Sequence, residues 1–162
     1  MDVAAYIALG SNLGDRELNL LRAVAEIGKI PDSRITGLSP FYESSPVGLT
    51  DQPHFYNAVL KLVTALSPHS LLEQLQHIET ALFNRTRDIH WGPRTMDLDL
   101  LLHGDALLSD DILTLPHPRM GDRLFVLRPL HDIAPGLVLP GSGQTVEELL
   151  DALSTDDVVT KL

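Results

Sequence analysis

Two aspartates stand one residue apart in an otherwise apolar run, Met96-Asp97-Leu98-Asp99-Leu100-Leu101-Leu102. If this run is a strand, the two carboxylates project from one face, and Leu98 and Leu100 project from the other. Carboxylates without partners on such a strand repel each other and lose hydration, and a divalent cation removes both costs. Magnesium is typically held by one or two carboxylates together with water and substrate phosphates. The pattern therefore predicts a magnesium site at Asp97 and Asp99.

Arginines concentrate around this acidic run. Six of the nine arginines fall in a stretch that contains no lysine: Arg85, Arg87, Arg94, Arg119, Arg123 and Arg128. Arginine suits bidentate recognition of phosphate better than lysine does. Cations that converge with metal-binding carboxylates are what chemistry on a nucleoside triphosphate requires. The distribution favours a phosphate site, with solvated surface charges as the alternative for Arg85 and Arg87.

Composition excludes several other classes of function. The net charge of −10 argues against a nucleic-acid partner, and the absence of cysteine excludes disulfides, thiolate metal sites and cysteine nucleophiles. No apolar run is long enough to cross a bilayer and no basic signal region opens the chain, so we expect a cytoplasmic protein without a membrane partner. No P-loop, dinucleotide-binding, serine-hydrolase or zincin motif is present. Residues 10–14 read as a strand-to-helix turn.

Hydrophobic periodicity predicts the scaffold that must position these side chains. Strands are predicted at residues 2–9, 35–44, 55–64 and 95–103, the last closed by a hairpin turn at Gly104-Asp105. Helices are predicted from about Asp15, from Ser67 as N-cap with Pro68 as first residue, near residues 125–133, and from Thr145, which forms a capping box with Glu148. The apolar faces of the first two helices are expected to be Leu18, Leu21, Ala25 and Gly28, and Leu71, Leu75, Ile78 and Leu82.

The order of these elements indicates a fold class. A βαββαβ sequence predicts an α+β fold, the ferredoxin-like antiparallel sheet with helices packed on it. At 162 residues the chain fits one domain, residues 1–162.

Five segments carry more specific motifs: residues 6–15, 39–46, 52–58, 91–99 and 116–120. The run Trp91-Gly92-Pro93-Arg94-Thr95-Met96-Asp97-Leu98-Asp99 is highly specific. On these segments, over nearly its full length, the chain resembles the 6-hydroxymethyl-7,8-dihydropterin pyrophosphokinase family. The resemblance implies transfer of the terminal pyrophosphate of ATP to 6-hydroxymethyl-7,8-dihydropterin, with release of AMP, in folate biosynthesis.

The resemblance also implies site residues. Two Mg²⁺ ions would lie on Asp97 and Asp99, which with Arg85, Arg87 and Arg94 form the catalytic set. ATP would be bound by Gln76, Glu79, Arg85, Arg94, Thr114, His117 and Arg123. The pterin would be bound by Ser44, Ser45, Val47, Phe55, Asn57, Trp91, Asp97 and Phe125, with aromatic faces on the flat ring and Asn57 on its amide edge.

Three departures from the family's pattern concern the loops. His90 stands where the family usually has a basic residue, and Asn84 replaces a glycine before the loop arginines. Residues 109–111 are more acidic than in some relatives, which puts the contacts of that loop with the nucleotide in doubt. None of these positions belongs to the metal pair.

The expected mechanism is an in-line displacement in which the pterin hydroxyl attacks the β-phosphorus and AMP departs. One magnesium could polarise the attacking oxygen while the other bridges phosphates, and the arginines stabilise charge. Glycosidase-like hydrolysis by the paired carboxylates is a second hypothesis, but neighbouring side chains on one strand face do not flank a bond from opposite sides. A catalytically silent pterin- or nucleotide-binding module is a third. The family implies a monomer.

Overall fold

The computed structural model describes residues 2–45, 51–83 and 95–162. Its strands are β1 (Val3–Ser11), β2 (Ser33–Leu38), β3 (Tyr42–Ser44), β4 (Phe55–Thr64), β5 (Asp97–His103), β6 (Leu108–Ser109), β7 (Thr114–Leu115) and β8 (Val159–Lys161). Its α-helices are α1 (Arg16–Ile27), α2 (Pro68–Phe83), α3 (Leu124–Ile133) and α4 (Val146–Ala152), and a short 3₁₀ helix covers Met120–Asp122.

The main sheet has the strand order β5-β1-β4-β3-β8, with β2 also pairing with β4, and its pairs are antiparallel. When β2 and β3 are counted as one interrupted strand, the elements up to β5 follow the order βαββαβ. The long central strands β1 and β4 pair over their full lengths, from Val3 opposite Thr64 to Ser11 opposite Tyr56. The predicted α+β, ferredoxin-like arrangement is confirmed.

Both faces of the sheet are covered. On one face, Ile7, Leu60 and Leu100 pack against the apolar sides of α1 and α2. On the other face, residues such as Tyr6 and Val59 pack with the 3₁₀ helix, α3 and α4. The side chains of successive strand residues alternate between faces, so each central strand contributes to both cores.

Helix α1 begins as predicted but buries a different face. Asp15 is the N-cap, and its side chain accepts a hydrogen bond from the Leu18 N–H at 3.1 Å. The predicted stripe is wrong, because Leu18 and Leu21 are each 50% exposed, and Ala25 is exposed too. The buried stripe consists of Asn19, Leu20, Ala23 and Ile27.

The strand predicted over residues 35–44 is interrupted. Pro40 has no N–H to donate, so the ladder cannot continue through it. Ser39 bridges the break, because its N–H donates to the Val59 carbonyl and its hydroxyl accepts from the Val59 N–H, both at 2.9 Å. Pairing with β4 then resumes as β3, which sets Tyr42 opposite Asn57.

Tyr42 also ties the sheet to α3. Its hydroxyl donates to the carboxylate of Asp132 in the last turn of that helix. Burial, followed by the hydrogen bond to Asp132, raises the pKa of Tyr42 to about 12. The phenol therefore stays protonated at neutral pH and holds β3 against α3.

The region after β5 differs from the prediction. Gly104 has a φ of 56° and forms a turn with Asp105, but the chain does not return along β5 as a hairpin. Instead β6 pairs with β7 as a separate ribbon. The prediction also missed β8, which pairs with β3 at the opposite end of the sheet.

Other predicted helix ends are confirmed. The Ser67 hydroxyl accepts from the Ser70 N–H at 3.2 Å at the start of α2, and Thr145 and Glu148 form both bonds of a capping box before α4. Leu71, Leu75 and Ile78 are buried along α2 as expected. Among the described residues, no helix has the length and apolar character needed to span a membrane.

Candidate active site

Three neighbouring strands bring the chemically interesting residues into one row. Gly10 of β1 lies opposite Asn57 of β4 on one side and opposite Asp97 of β5 on the other. Two residues earlier on the same face, Ala8 lies opposite Asp99. The small residues of β1 therefore form a floor between an amide and two carboxylates.

This floor belongs to a pocket of about 560 Å³ that opens between the sheet, α2, α3 and the β6–β7 ribbon. Every predicted site residue within the described ranges lines it: Ser44, Ser45, Phe55, Asn57, Gln76, Glu79, Asp97, Asp99, Thr114, His117, Arg123 and Phe125. The predicted residues Val47, Arg85, Arg87, Trp91 and Arg94 lie outside the described residues, as do His90 and Asn84. Arg119 and Arg128 are exposed and are not part of the lining.

Asp97 and Asp99 occupy the end of the pocket nearest Arg123. Both aspartates are half-buried, and an Arg123 Nη1 atom lies 4.0 Å from Asp99 Oδ2. Burial lowers the pKa of Arg123, and the charge of Asp99 acts in the opposite direction. Two carboxylates on one strand face, directed into a pocket, are a donor set that fits magnesium. Among the described residues, no histidine or further carboxylate joins them as a third metal ligand.

A third carboxylate supports this strand from behind. Glu79 of α2 is only 4% exposed, and its Oε2 accepts the backbone N–H of Leu98 at 2.8 Å. Leu98 lies between the two aspartates, and β5 is at the end of the described sheet. The hydrogen bond therefore fixes the backbone from which both carboxylates project.

His117 lies beside the carboxylates, between two prolines. Its backbone N–H donates to the Leu101 carbonyl at 2.9 Å, and its Nδ1 accepts the Arg119 N–H at 3.1 Å. Burial, and then the charge of Arg123, lower the pKa of His117 to about 4. The ring is therefore neutral near pH 7, and because Nδ1 is an acceptor, the proton is on Nε2.

The other end of the pocket suits a flat polar ring. The Ser44 hydroxyl donates to Asn57 Oδ1 at 2.5 Å, which fixes the plane of the Asn57 amide. Phe55 and Phe125 supply aromatic walls, and the Arg123 guanidinium lies 5.5 Å from the centre of the Phe125 ring. An amide between aromatic faces can read the hydrogen-bonding edge of a heterocycle.

The β6–β7 ribbon supplies a wall that the sequence did not predict, including Ile112 and Leu113. The side chain of Asp110 forms hydrogen bonds within its own loop. Its Oδ1 accepts hydrogen bonds from the backbone N–H groups of Ile112 and Leu113, each at 2.8 Å. Its Oδ2 lies 2.8 Å from Nε2 of His69 on α2. These contacts lower the pKa of Asp110 and hold the wall against α2. Ile112 is 72% exposed at the pocket's rim, a position that apolar periodicity does not reveal.

Comparisons with known proteins agree with this architecture. Residues 6–135 match the family model described as 7,8-dihydro-6-hydroxymethylpterin-pyrophosphokinase. A Pseudomonas aeruginosa protein named 2-amino-4-hydroxy-6-hydroxymethyldihydropteridine pyrophosphokinase is 47% identical over 147 residues, which cover 91% of this chain and 90% of that protein. A Bacillus subtilis protein of the same name is 49% identical over 133 residues, covering 82% and 79%.

The fold also matches solved structures of longer chains. A crystal structure described as HPPK-DHPS in complex with substrates superimposes with a TM-score of 0.74 at 13% identity. The match covers 94% of this chain and 43% of that one, so this chain spans less than half of the longer protein. At this identity the likeness concerns the fold alone.

Proposed function

This chain belongs to the 7,8-dihydro-6-hydroxymethylpterin-pyrophosphokinase family, a pyrophosphokinase of folate biosynthesis, and we propose that the pocket on β1, β4 and β5 is its active site. The observation that carries the proposal is the row Asn57–Gly10–Asp97. It puts an amide suited to a pterin and a carboxylate suited to a metal on opposite sides of one small residue. Such a site could bring a pterin hydroxymethyl group next to a metal-bound triphosphate.

The reaction transfers the terminal two phosphates of ATP as one unit. The hydroxymethyl oxygen of 6-hydroxymethyl-7,8-dihydropterin forms a bond to the β-phosphorus. The bond between that phosphorus and the oxygen bridging it to the α-phosphorus breaks, and AMP leaves with the bridging oxygen. The hydroxyl proton passes to solvent. The products are the pterin diphosphate and AMP.

The pterin end of the site is assigned to the sheet and α3. Asn57, fixed by Ser44, would hydrogen-bond the amide edge of the ring. Phe55 and Phe125 would hold its two faces. Backbone groups around Ser45, with Val47 and Trp91, complete the predicted contacts, and the last two of these residues lie outside the described residues.

The phosphate end of the site is assigned to Asp97, Asp99, Arg123 and His117. The two aspartates would hold Mg²⁺, which when bound neutralises phosphate charge and polarises the oxygens it contacts. Arg123 would pair with phosphate oxygens, and neutral His117 would donate its Nε2–H to them. Gln76, Glu79 and Thr114 would face the nucleotide, and Arg85, Arg87 and Arg94 stay predicted contributors.

Two further predictions from the sequence concern the whole protein. The cytoplasmic location and the monomeric state stay predictions, and size-exclusion chromatography with light scattering tests the second. The silent binding module finds no support in the relatives, which are named as pyrophosphokinases.

The proposal is tested by measuring AMP formation from ATP, Mg²⁺ and 6-hydroxymethyl-7,8-dihydropterin by ion-exchange chromatography. Asp97→Asn and Asp99→Asn keep the side-chain shape but remove the metal-binding charge. Loss of several kcal/mol of charge stabilisation predicts a fall of about a thousandfold in the rate. Asp151→Asn, at an exposed position of α4 outside the pocket lining, is the matched control and should retain full activity.

Omission of the pterin, or chelation of the metal, should also abolish AMP formation. A folded wild-type protein that binds ATP without forming AMP would leave the binding module as the better description. Variants of Asp97 and Asp99 that retain full activity would remove these residues from the metal site.

A further inference from the structure

The turn between β1 and α1, residues 11–15, contains polar side chains that the proposed chemistry does not use. In sequence it looks like a glycine-rich phosphate loop, with Gly10 just before it and Gly14 within it. In the structure, Ser11 and Asn12 are 0% and 1% exposed, and Asn19, in the first turns of α1, is 6% exposed. Buried side-chain amides such as those of Asn12 and Asn19 need hydrogen-bond partners. Their partners show which parts of the chain the turn contacts.

Asn12 holds the chain that enters β4. Its Nδ2 donates to Gln52 Oε1 at 2.8 Å and to the Pro53 carbonyl at 3.0 Å. Arg16, the first residue of α1, donates from Nη1 to the next carbonyl, that of His54, at 2.8 Å. Phe55, the first residue of β4, follows directly, and Asn57 comes two residues later.

Asn19 reaches the chain that enters β5. Its Nδ2 lies 3.0 Å from the Leu13 carbonyl, 3.2 Å from Ser11 Oγ and 3.3 Å from the Thr95 carbonyl. The first two contacts hold the amide inside the turn. The third crosses to Thr95, which is two residues before Asp97.

Both anchored segments lie just before the residues at which β4 and β5 begin to pair in the sheet. The first ladder positions of β4 and β5 are Phe55, opposite Ser44, and Asp97, opposite Gly10. Pro53 and Thr95 precede those positions and take no part in these ladders. The Pro53 carbonyl is instead bound by the side chain of Asn12, and the Thr95 carbonyl by that of Asn19. Both hydrogen bonds are partly buried, so a carbonyl that loses this donor loses part of its stabilisation, and the chain entering the strand is held less firmly.

We propose that Asn12 and Asn19 are positioning residues, each for a different half of the active site. Asn12, together with Arg16, fixes the chain segment that leads into Phe55 and Asn57, so it acts on the pterin end of the site. Asn19 sets the approach to Asp97 and so acts on the metal and phosphate end. The inference rests on the proposed function of the pocket, and it assigns to the β1–α1 turn and the start of α1 a positioning role on both sides of the site.

The test compares steady-state kinetics of Asn12→Ala and Asn19→Ala with those of the wild-type enzyme. Loss of one partly buried hydrogen bond of this kind corresponds to an effect of up to about tenfold. We expect Asn12→Ala to raise the KM for the pterin about tenfold, with little change in the KM for MgATP. We expect Asn19→Ala to lower kcat and raise the KM for MgATP, with little change in the KM for the pterin. Leu13→Ala, at a half-exposed position of the same turn, should leave all parameters unchanged.

Binding measurements separate this inference from the proposed function. Mn²⁺ binding followed by electron paramagnetic resonance, and pterin binding followed by fluorescence, require no turnover. Asn19→Ala should weaken the first and Asn12→Ala the second. If the wild-type protein formed no AMP but these opposite effects appeared, the proposed reaction would fail while the positioning roles would stand.

A purely structural role gives a different result. Equal effects of each substitution on both substrates, in proportion to a fall in Tm, would overturn the proposal. If an alanine variant does not fold, Asn12→Ser and Asn19→Ser carry the same test, because a serine hydroxyl remains polar but is too short to reach the Pro53 or Thr95 carbonyl. Unchanged kcat and KM values in the folded variants of Asn12, or in those of Asn19, would also overturn the proposal.

Discussion

At the scale of single residues, His117 shows how burial can prepare a side chain for its role. An imidazolium ring would attract phosphate by charge, but it would also have to be accommodated beside the Arg123 guanidinium. With its pKa lowered to about 4, His117 is instead a neutral donor near pH 7. The Arg119 N–H on Nδ1 leaves Nε2 as the protonated nitrogen. The ring can therefore bind a phosphate oxygen without adding charge to the site.

The lowered pKa of His117 predicts a pH dependence of stability in the metal-free protein. Between pH 6.5 and about 4 the unfolded chain binds a proton that the folded protein excludes. Stability is therefore lost as the pH falls through this window. We expect urea-unfolding free energies measured in EDTA to fall less steeply in His117→Gln than in the wild type. His77→Gln, at an exposed position of α2, controls for loss of a histidine, and equal slopes in all three proteins would contradict the prediction.

The sequence identified those residues whose chemistry is unusual for their surroundings. Two aspartates in a leucine strand and a histidine between prolines stand out without a structure. Ile112 and Gly10 do not, because an isoleucine at a pocket rim and a glycine in a strand look ordinary in sequence. Their roles depend on which segments the fold brings next to them. Asn12 and Asn19 belong to the same class, since polar residues near a turn are usually exposed.

At the scale of elements, β1 owes its role to small side chains. Gly10 lies between Asn57 and Asp97, and a Cβ atom at this position would come within 3.3 Å of Asn57 Nδ2 and 3.6 Å of Phe55 Cδ1. The first distance is shorter than an ordinary van der Waals contact. A larger residue would therefore displace the amide that is proposed to read the pterin.

Gly10→Ala is accordingly expected to weaken pterin binding without removing the fold. A strained or lost hydrogen bond of about 1 kcal/mol corresponds to a rise of about fivefold in the Kd for the pterin. Gly37→Ala, in β2, is the matched control, because its Cβ would lie 3.5 Å from the Cβ of Lys61 in ordinary contact. Isothermal titration with the pterin measures the effect. An unchanged affinity in Gly10→Ala would show that Asn57 is not in the pterin site.

The errors in the predicted elements have identifiable causes. In α1 the apolar residues Leu18 and Leu21 suggested the buried face, but the helix turns Leu20 and Ile27 inward, where the α1–α2 core accepts them. β8 is only three residues long, and its pairing with β3 is a long-range contact that local periodicity does not contain. Capping signals at Ser67 and Thr145 were reliable because they depend on neighbouring residues alone.

At the scale of the whole molecule, the sheet separates two apolar cores. Ile27 and Leu60 belong to the core beneath α1 and α2, whereas Leu127 belongs to the core beneath α3 and α4. All three side chains are fully buried. The pocket is lined by members of both cores, among them Leu98 from the first and Val126 from the second, so both support the strands that carry the site.

Because the cores do not share members, substitutions in them should act independently. We expect Ile27→Val to cost about 1 kcal/mol of unfolding free energy and Leu127→Ala about 3 kcal/mol. The double variant should lose their sum to within about 0.5 kcal/mol in urea denaturation. Ile27→Val with Leu60→Ala, two members of one core, is the comparison pair. The separation of the cores would be contradicted if the unfolding free energies departed further from additivity for Ile27→Val with Leu127→Ala than for Ile27→Val with Leu60→Ala.

The anchoring of β5 also bears on self-association through the edge of the sheet. A leucine-rich strand at the end of a sheet is a template on which another chain can pair and aggregate. Here the Leu98 N–H is occupied by Glu79 and the Leu101 carbonyl by the N–H of His117. An incoming strand would have to displace both bonds and approach the charges of Asp97 and Asp99. The residues proposed to serve the reaction thus also occupy the strand edge on which another chain would pair, so their replacement is expected to affect solubility as well as activity.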